Sequence, residues 1–209
     1  MSEAALPIAV LISGGGTTLK NLIDLQQSGS LKVDFRLVIS SRRDAGGLRF
    51  AEDAKIPSCV LAKKSFATQE AYRDEAFRCI EASGAKLVVM GGFLLHLLIP
   101  ERWTNRVVNI HPSLIPSFCG EGYYGLKVHQ AALDYGVKVS GCTVHFVDNQ
   151  YDHGPVILQR TCPVLEGDTP ESLQARVFAE ECKALPDAIE LIRRGRVEVD
   201  PTNRRVAIR

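Results

Sequence analysis

A chain of 209 residues, 45% hydrophobic and 23% charged, has the size and composition of one globular domain with a substantial core. Its formal net charge of +1 provides neither the basic footprint of a nucleic-acid binder nor a polybasic membrane patch. No apolar run reaches bilayer length, the start Met1-Ser2-Glu3-Ala4-Ala5 lacks the marks of a signal peptide, and the six cysteines never form CxxC, so a cytoplasmic chain with reduced thiols is expected.

Taken in order, the first half alternates strands with helices. Residues 8–12 are a continuous apolar run ending in glycines, as in a buried parallel strand. A helix follows over 18–27, a strand over 35–39, a short helix over 46–54 and a strand over 59–61. Residues 68–83 read as a helix with Tyr72, Ala76 and Ile80 on one face. Strands over 87–90 and 107–110 complete the series. The alternation predicts an α/β fold with a doubly wound, mostly parallel sheet. After residue 135 the pattern changes: the β-rich runs 139–147 and 156–164 suit an antiparallel pair closing the sheet. A long last helix begins near Thr169-Pro170-Glu171, with Thr169 as N-cap, and runs to Arg194, with Pro186 as a candidate kink and Gly195 as its stop. The basic end at 204–209 reads as a solvated tail, and no linker demands a domain boundary within 1–209.

Asn109-Ile110-His111-Pro112-Ser113 is the stretch richest in chemistry. Residues two apart on a strand share a face, so Asn109 and His111 project together. An amide N–H can meet a developing oxyanion, and an imidazole exchanges protons near neutral pH. A histidine at a strand end also serves as a purely structural hydrogen-bonding residue. Asp152 lies in a loop that could reach the same place, and a carboxylate there would orient the ring and favour its charged form. Ser13-Gly14-Gly15-Gly16-Thr17-Thr18 joins the first strand to the first helix. Backbone N–H groups at such a start can hold an anion, or the turn can simply be tight. Leu19 replaces the third glycine of the dinucleotide fingerprint, and no GK[ST] supplies a phosphate-loop lysine.

Glu181 falls in line with Leu173, Val177, Leu185 and Ile189 on the apolar stripe of the last helix. A carboxylate there either reaches solvent at the stripe's edge or meets a cation or amine. His96, His129, His145 and His153 lack metal-ligand spacing, and His145, alternating with Val144 and Phe146, reads as structural. Nothing beside Cys119 or Cys142 marks an activated thiolate, and the serine-hydrolase elbow G-x-S-x-G is missing.

Val10-Leu11-Ile12-Ser13-Gly14-Gly15-Gly16, Gly91-Gly92-Phe93, the block from Asn109 to Pro116, and Thr143 to Val147 running on to Tyr151-Asp152-His153-Gly154-Pro155 together resemble the folate-dependent phosphoribosylglycinamide formyltransferases over nearly all of residues 7–195. The resemblance implies a single formyltransferase-like, Rossmann-type domain and a place in purine biosynthesis and one-carbon metabolism. It implies that 10-formyltetrahydrofolate is the cosubstrate, with no metal, and that the amine of glycinamide ribonucleotide is the acceptor. By the same pattern Asn109, His111 and Asp152 are catalytic. Gly15, Gly16, Thr17 and Thr18, with Pro112 and Glu181, bind the ribonucleotide. Gln69, Phe93, Leu94, Leu95, His96, Leu97, Asn109, Asp148, Asn149, Gln150 and Tyr151 line the folate site. A homodimer rests on the resemblance alone. Three departures stand out: Gln69 where relatives often carry a folate-contacting arginine, Phe178 where they often carry glutamine or lysine, and a longer segment 117–125. The alternative within this chemistry is a formyltetrahydrofolate hydrolase, in which water replaces the amine; retention of Glu181 and a start almost directly at the first strand favour transfer. A methionyl-tRNA transformylase would bring a further domain and a more basic surface. A non-catalytic phosphate-binding module would need the glycine turn but not Asn109, His111 and Asp152 together.

Overall fold

The structure is a computed structural model that describes residues 4–209; the reading of Met1 to Glu3 as free of an export signal lies outside the described residues. Two compact units divide the chain, one ending at Val108 and the other running from Asn109 to Arg209.

The first unit holds β1 (Leu6–Ile12), α1 (Thr17–Gln27), β2 (Val33–Ser40), α2 (Gly47–Asp53), β3 (Ser58–Val60), α3 (Gln69–Ser83) and β4 (Leu87–Met90). Strand β1 pairs in parallel with β2 on one side and β4 on the other, and β3 extends β2. Its run Ile8 to Ile12 is wholly buried, as a central parallel strand covered on both faces requires. Thr68 caps α3 by accepting from the Ala71 N–H, and Tyr72, Ala76 and Ile80 are buried as their spacing predicts.

The second unit holds most of β5 (Val107–His111), then α4 (Leu126–Tyr135), β6 (Val139–Phe146), β7 (Val156–Pro163), α5 (Pro170–Arg193), β8 (Val197–Val199) and β9 (Val206–Ile208). Strands β6 and β7 are antiparallel, as expected. Helix α5 lies on both, burying Leu173, Val177, Leu185 and Ile189. Its start is a capping box, in which Thr169 and Ser172 each accept the other's backbone N–H, with Pro170 in the first turn. The strands run in the order β3-β2-β1-β4-β5-β6-β7, giving the mostly parallel α/β sheet.

Two elements differ from the sequence reading. Helix α4 was not expected, although Gly125 and Gly136 bracket it and Val128, His129 and Ala132 form its buried face. The basic end is not a plain tail: β8 and β9 pair as a separate antiparallel hairpin, with Arg209 against Glu198 at 2.5 Å. Its residues are nonetheless mostly exposed, so charge and solvation there do not preclude a hairpin.

Candidate functional site

In the first unit the chain leaves the carboxyl ends of the adjacent strands β1 and β4 through two loops, the place where open α/β sheets bind ligands. The loop after β1 is built from backbone. Gly16 has φ +75°, and a Cβ on it would stand 2.4 Å from the Gly47 Cα; only glycine allows α1 and α2 to start so close together. The Gly47 N–H donates to the Gly14 carbonyl at 3.1 Å. Nothing lies within 4 Å of a Cβ placed on Gly14 or Gly15. Helix α1 begins with no side-chain cap and no acidic residue in its first turn, so its leading N–H groups, those of Thr17 and Thr18 included, suit an anion.

The loop after β4 is irregular and is held by side chains. The Ser13 N–H donates to the Gly92 carbonyl at 3.1 Å, and the Leu94 N–H donates to Ser13 Oγ at 2.9 Å. Ser13 Oγ is in turn 2.7 Å from the buried Ser41 Oγ. Phe93 and Leu97 are 7% and 2% exposed and belong to the core, whereas Leu94 is 54% exposed. Gln69, the first residue of α3, bonds through Nε2 to the His96 carbonyl at 3.0 Å and to His96 Nδ1 at 2.7 Å.

In the second unit β5 turns Asn109 and His111 to one face, and β6 contributes Thr143 and His145, likewise two residues apart. Asn109 Nδ2 lies 3.2 Å from His145 Nε2. His145 Nδ1 lies 2.8 Å from the Phe146 carbonyl, which only accepts, so that nitrogen carries the proton and Nε2 accepts from Asn109. This fixes the Asn109 amide and leaves its second N–H uncommitted to His145. His111 Nδ1 lies 3.4 Å from Asp152 Oδ2, and His145 Nε2 lies 3.7 Å from Oδ1 of the same carboxylate. His111 Nε2 donates to the Phe118 carbonyl at 2.9 Å, and the Gly120 N–H donates to Asp152 Oδ2 at 2.9 Å. The long segment 117–125 is thus hooked to both His111 and Asp152. Thr143 steadies the exit of β5, donating to the Ser113 carbonyl at 2.7 Å and accepting from the Ile115 N–H at 3.0 Å. Pro112, next to His111, is half-buried.

Local backbone geometry delivers Asp152. It adopts φ +50°, and Gly154 packs its backbone so closely on Phe146 that a Cβ there would stand 1.9 Å from the Phe146 carbonyl oxygen. The ladder slips between Val144 and His145, where Val144 faces Leu158 but His145 faces Val156. Within the loop, Asp148 accepts the Gln150 N–H at 2.9 Å and pairs with His153 at 2.8 Å. Asn149 and Tyr151 complete that loop, with Tyr151 43% exposed.

Burial shifts the titration of several groups in this unit. Glu181 has no ion-pair partner among the described residues, and desolvation pushes its carboxyl up to about 7. The Cys142 thiol, buried first and close to Glu181 second, is pushed up to about 12. His129 is held down to about 4, by burial and then by the nearby His111. Burial likewise favours neutral His145, consistent with its role as an acceptor. No group of three or more metal-ligating side chains occurs among the described residues.

The structure therefore brings Asn109, His111 and Asp152 together, with His145, a buried hydrogen-bonding residue as its strand position suggests, beside Asn109 and Asp152. The i, i+2 relation of Thr143 and His145, matching that of Asn109 and His111, was the available signal. Gly15 to Thr18, Gln69 and residues 93–97 lie in the first unit; Glu181 and residues 148–151 lie in the second. No helix among the described residues is long and apolar enough to cross a membrane.

Comparison with known proteins gives a coherent picture. The pattern of the formyl transferase family matches residues 6–189. The chain is 40% identical to the trifunctional purine biosynthetic protein adenosine-3 of Drosophila melanogaster over 96% of its own length but only 15% of that protein. It is 34% identical to the chloroplastic phosphoribosylglycinamide formyltransferase of Arabidopsis thaliana, spanning 91% of this chain and 66% of that one. The crystal structure of glycinamide ribonucleotide transformylase 1 from Symbiobacterium toebii superposes with a TM-score of 0.91 at 39% identity, covering 99% of this chain and 95% of that one.

Proposed function

The chain belongs to the formyl transferase family, and from that premise we propose that it transfers the formyl group of 10-formyltetrahydrofolate to the amine of glycinamide ribonucleotide, a step of purine biosynthesis. The observation that carries this reading is the network in which half-buried Asn109 is oriented by buried His145 while buried His111 faces half-buried Asp152.

In this reading the amine attacks the formyl carbon, a C–N bond forms, and the carbonyl pair moves to oxygen. Asn109 keeps one amide hydrogen on His145 and offers the other to that oxygen. His111 Nε2–H, bonded to the Phe118 carbonyl at rest, turns to the same oxygen when substrate takes the carbonyl's place. Asp152 stabilises the imidazolium form through Nδ1 and passes the proton lost by the amine toward the departing folate nitrogen. Collapse then yields the formamide and tetrahydrofolate. An acceptor that carries both an anion and an amine suits the chain's two remaining features. The uncapped turn at Gly15 to Thr18 suits the phosphate, and Glu181, without an ion-pair partner among the described residues, suits the amine. The folate ring is assigned to Leu94, Leu95 and His96 and to Asp148, Asn149, Gln150 and Tyr151. A reducing cytoplasm suits the free thiols among the described residues, and a homodimer belongs to the same proposal.

The test is a coupled assay on purified protein, following loss of 10-formyltetrahydrofolate with and without glycinamide ribonucleotide. Ribonucleotide-dependent turnover that disappears in His111→Ala is expected. Folate consumed at one rate whether or not the ribonucleotide is present would mean water is the acceptor, and the hydrolase reading would replace this one.

A further inference from the structure

The resemblance puts Gln69 against the folate, but its geometry commits it elsewhere. The His96 carbonyl can only accept, so the Gln69 atom 3.0 Å from it must be the amide nitrogen. That same nitrogen lies 2.7 Å from His96 Nδ1. Its two hydrogens are therefore spent on one residue, and Nδ1 is an acceptor. The proton of neutral His96 then sits on Nε2. A protonated Nδ1 would oppose an N–H, and turning the amide over would set its oxygen against the carbonyl oxygen. Gln69 thus selects one tautomer and one backbone position together.

His96 is the middle of a stretch with no helix or strand of its own. A second tie is Ser13 Oγ, accepting the Leu94 N–H at 2.9 Å. Between these two anchors the stretch leaves Leu94 out in solvent, with Leu95 and His96 half-buried. We propose that Gln69 is a positioning residue for folate recognition: it does not touch the folate, but holds His96 as the Nε2–H tautomer and so sets the 94–96 surface that meets the ring. This rests on the folate assignment made under the proposed function.

The test compares wild type with Gln69→Glu in the full-length chain. Glutamate matches glutamine in shape and suits the first turn of a helix, but it has no hydrogen to donate. Losing two modest hydrogen bonds predicts a rise of roughly tenfold in KM for 10-formyltetrahydrofolate, with kcat and the ribonucleotide KM within about twofold of wild type. Gln69→Lys, which restores one donor toward the carbonyl, recovers part of the loss. In the free protein, ¹⁵N spectra report His96 as the Nε2–H tautomer in wild type and a loss of that preference in Gln69→Glu. A folate KM unmoved by Gln69→Glu, a fall confined to kcat, or an unchanged His96 spectrum would overturn the role of Gln69 alone. Wild-type protein that transfers no formyl group would instead remove the folate reading, and this role with it, whatever the spectra show.

Discussion

The turn after β1 and the centre on β5 and β6 are built from opposite materials. The first consists of backbone: glycines at 14, 15 and 16, an uncapped helix start and a glycine-to-glycine contact with α2. The second consists of buried and half-buried side chains, each held by a neighbouring group: Asn109 by His145, His111 by Asp152 and the Phe118 carbonyl, Asp152 by the Gly120 N–H. A backbone site cannot titrate but tolerates no added carbon where strands of chain touch. A side-chain site accepts isosteric replacement without collapse, yet loses its chemistry and responds to pH.

The largest break in that contrast comes from the side chains. His111→Ala should lower kcat by about 10²–10⁴, the range for a lost general acid, and Asn109→Ala by about 10²–10³. Steady-state rates at saturating substrates check both, and a fall of less than tenfold in either would contradict the assigned roles. Next comes pH. Glu181, held at about 7 against its ordinary 4.5, keeps a proton in the folded state that the unfolded chain gives up. Its stabilisation is complete below 4.5 and is lost as pH rises through 7. Glu181→Gln should therefore gain about 3 kcal/mol in urea unfolding at pH 8, and little at pH 4, while the KM for the amine substrate rises. His129 has the opposite sign. Held at about 4 against 6.5, it contributes fully above 6.5 and is lost as pH falls through 4. His129→Gln should flatten that acid-side decline by about 3 kcal/mol, read from unfolding curves at pH 7 and 4.

Smaller effects belong to the glycines and sharpen the other half of the contrast. Gly16→Ala combines a left-handed φ with a contact of 2.4 Å to backbone, so a stability loss of at least ~2 kcal/mol is expected by calorimetry. Gly15→Ala meets no protein atom within 4 Å. Its melting temperature should stay within about 2 °C of wild type while the ribonucleotide KM rises about tenfold. A destabilised Gly15→Ala with normal KM would reverse the assignment of that open space to an anion.

These differences also explain what could be read from the sequence. Residues 8–12, the periodic face of α3 and the Thr169-Pro170 start of α5 were legible because burial and capping leave local patterns. The joint projection of Asn109 and His111 was legible for the same reason, since period two is intrinsic to a strand. The role of His145 was not, because it depends on which strand lies beside β5 and on the slipped ladder at Val144 and His145. The use of Gln69 on His96 spans 27 residues and two irregular ends, with no periodicity to betray it. Helix α4 was hidden by the tyrosine- and glycine-rich stretch before it, and the terminal hairpin by its charge.

The slip in the β6–β7 ladder has a consequence for how this chain can vary. One extra residue on β7 restores pairing at His145↔Val156 after Val144↔Leu158. It thereby fixes the parity of β7 against β6, whose Thr143 and His145 share a face by period two, and lets the return strand begin close enough for Gly154 to rest on Phe146. Deleting that residue would re-zip a perfect hairpin and turn one arm's side chains over. Insertions at the loop tip, around Asn149 and Gln150, leave the parity intact. Length changes in this hairpin should therefore be confined to the tip, and a library of single-residue deletions would mark the boundary by loss of turnover without loss of folding.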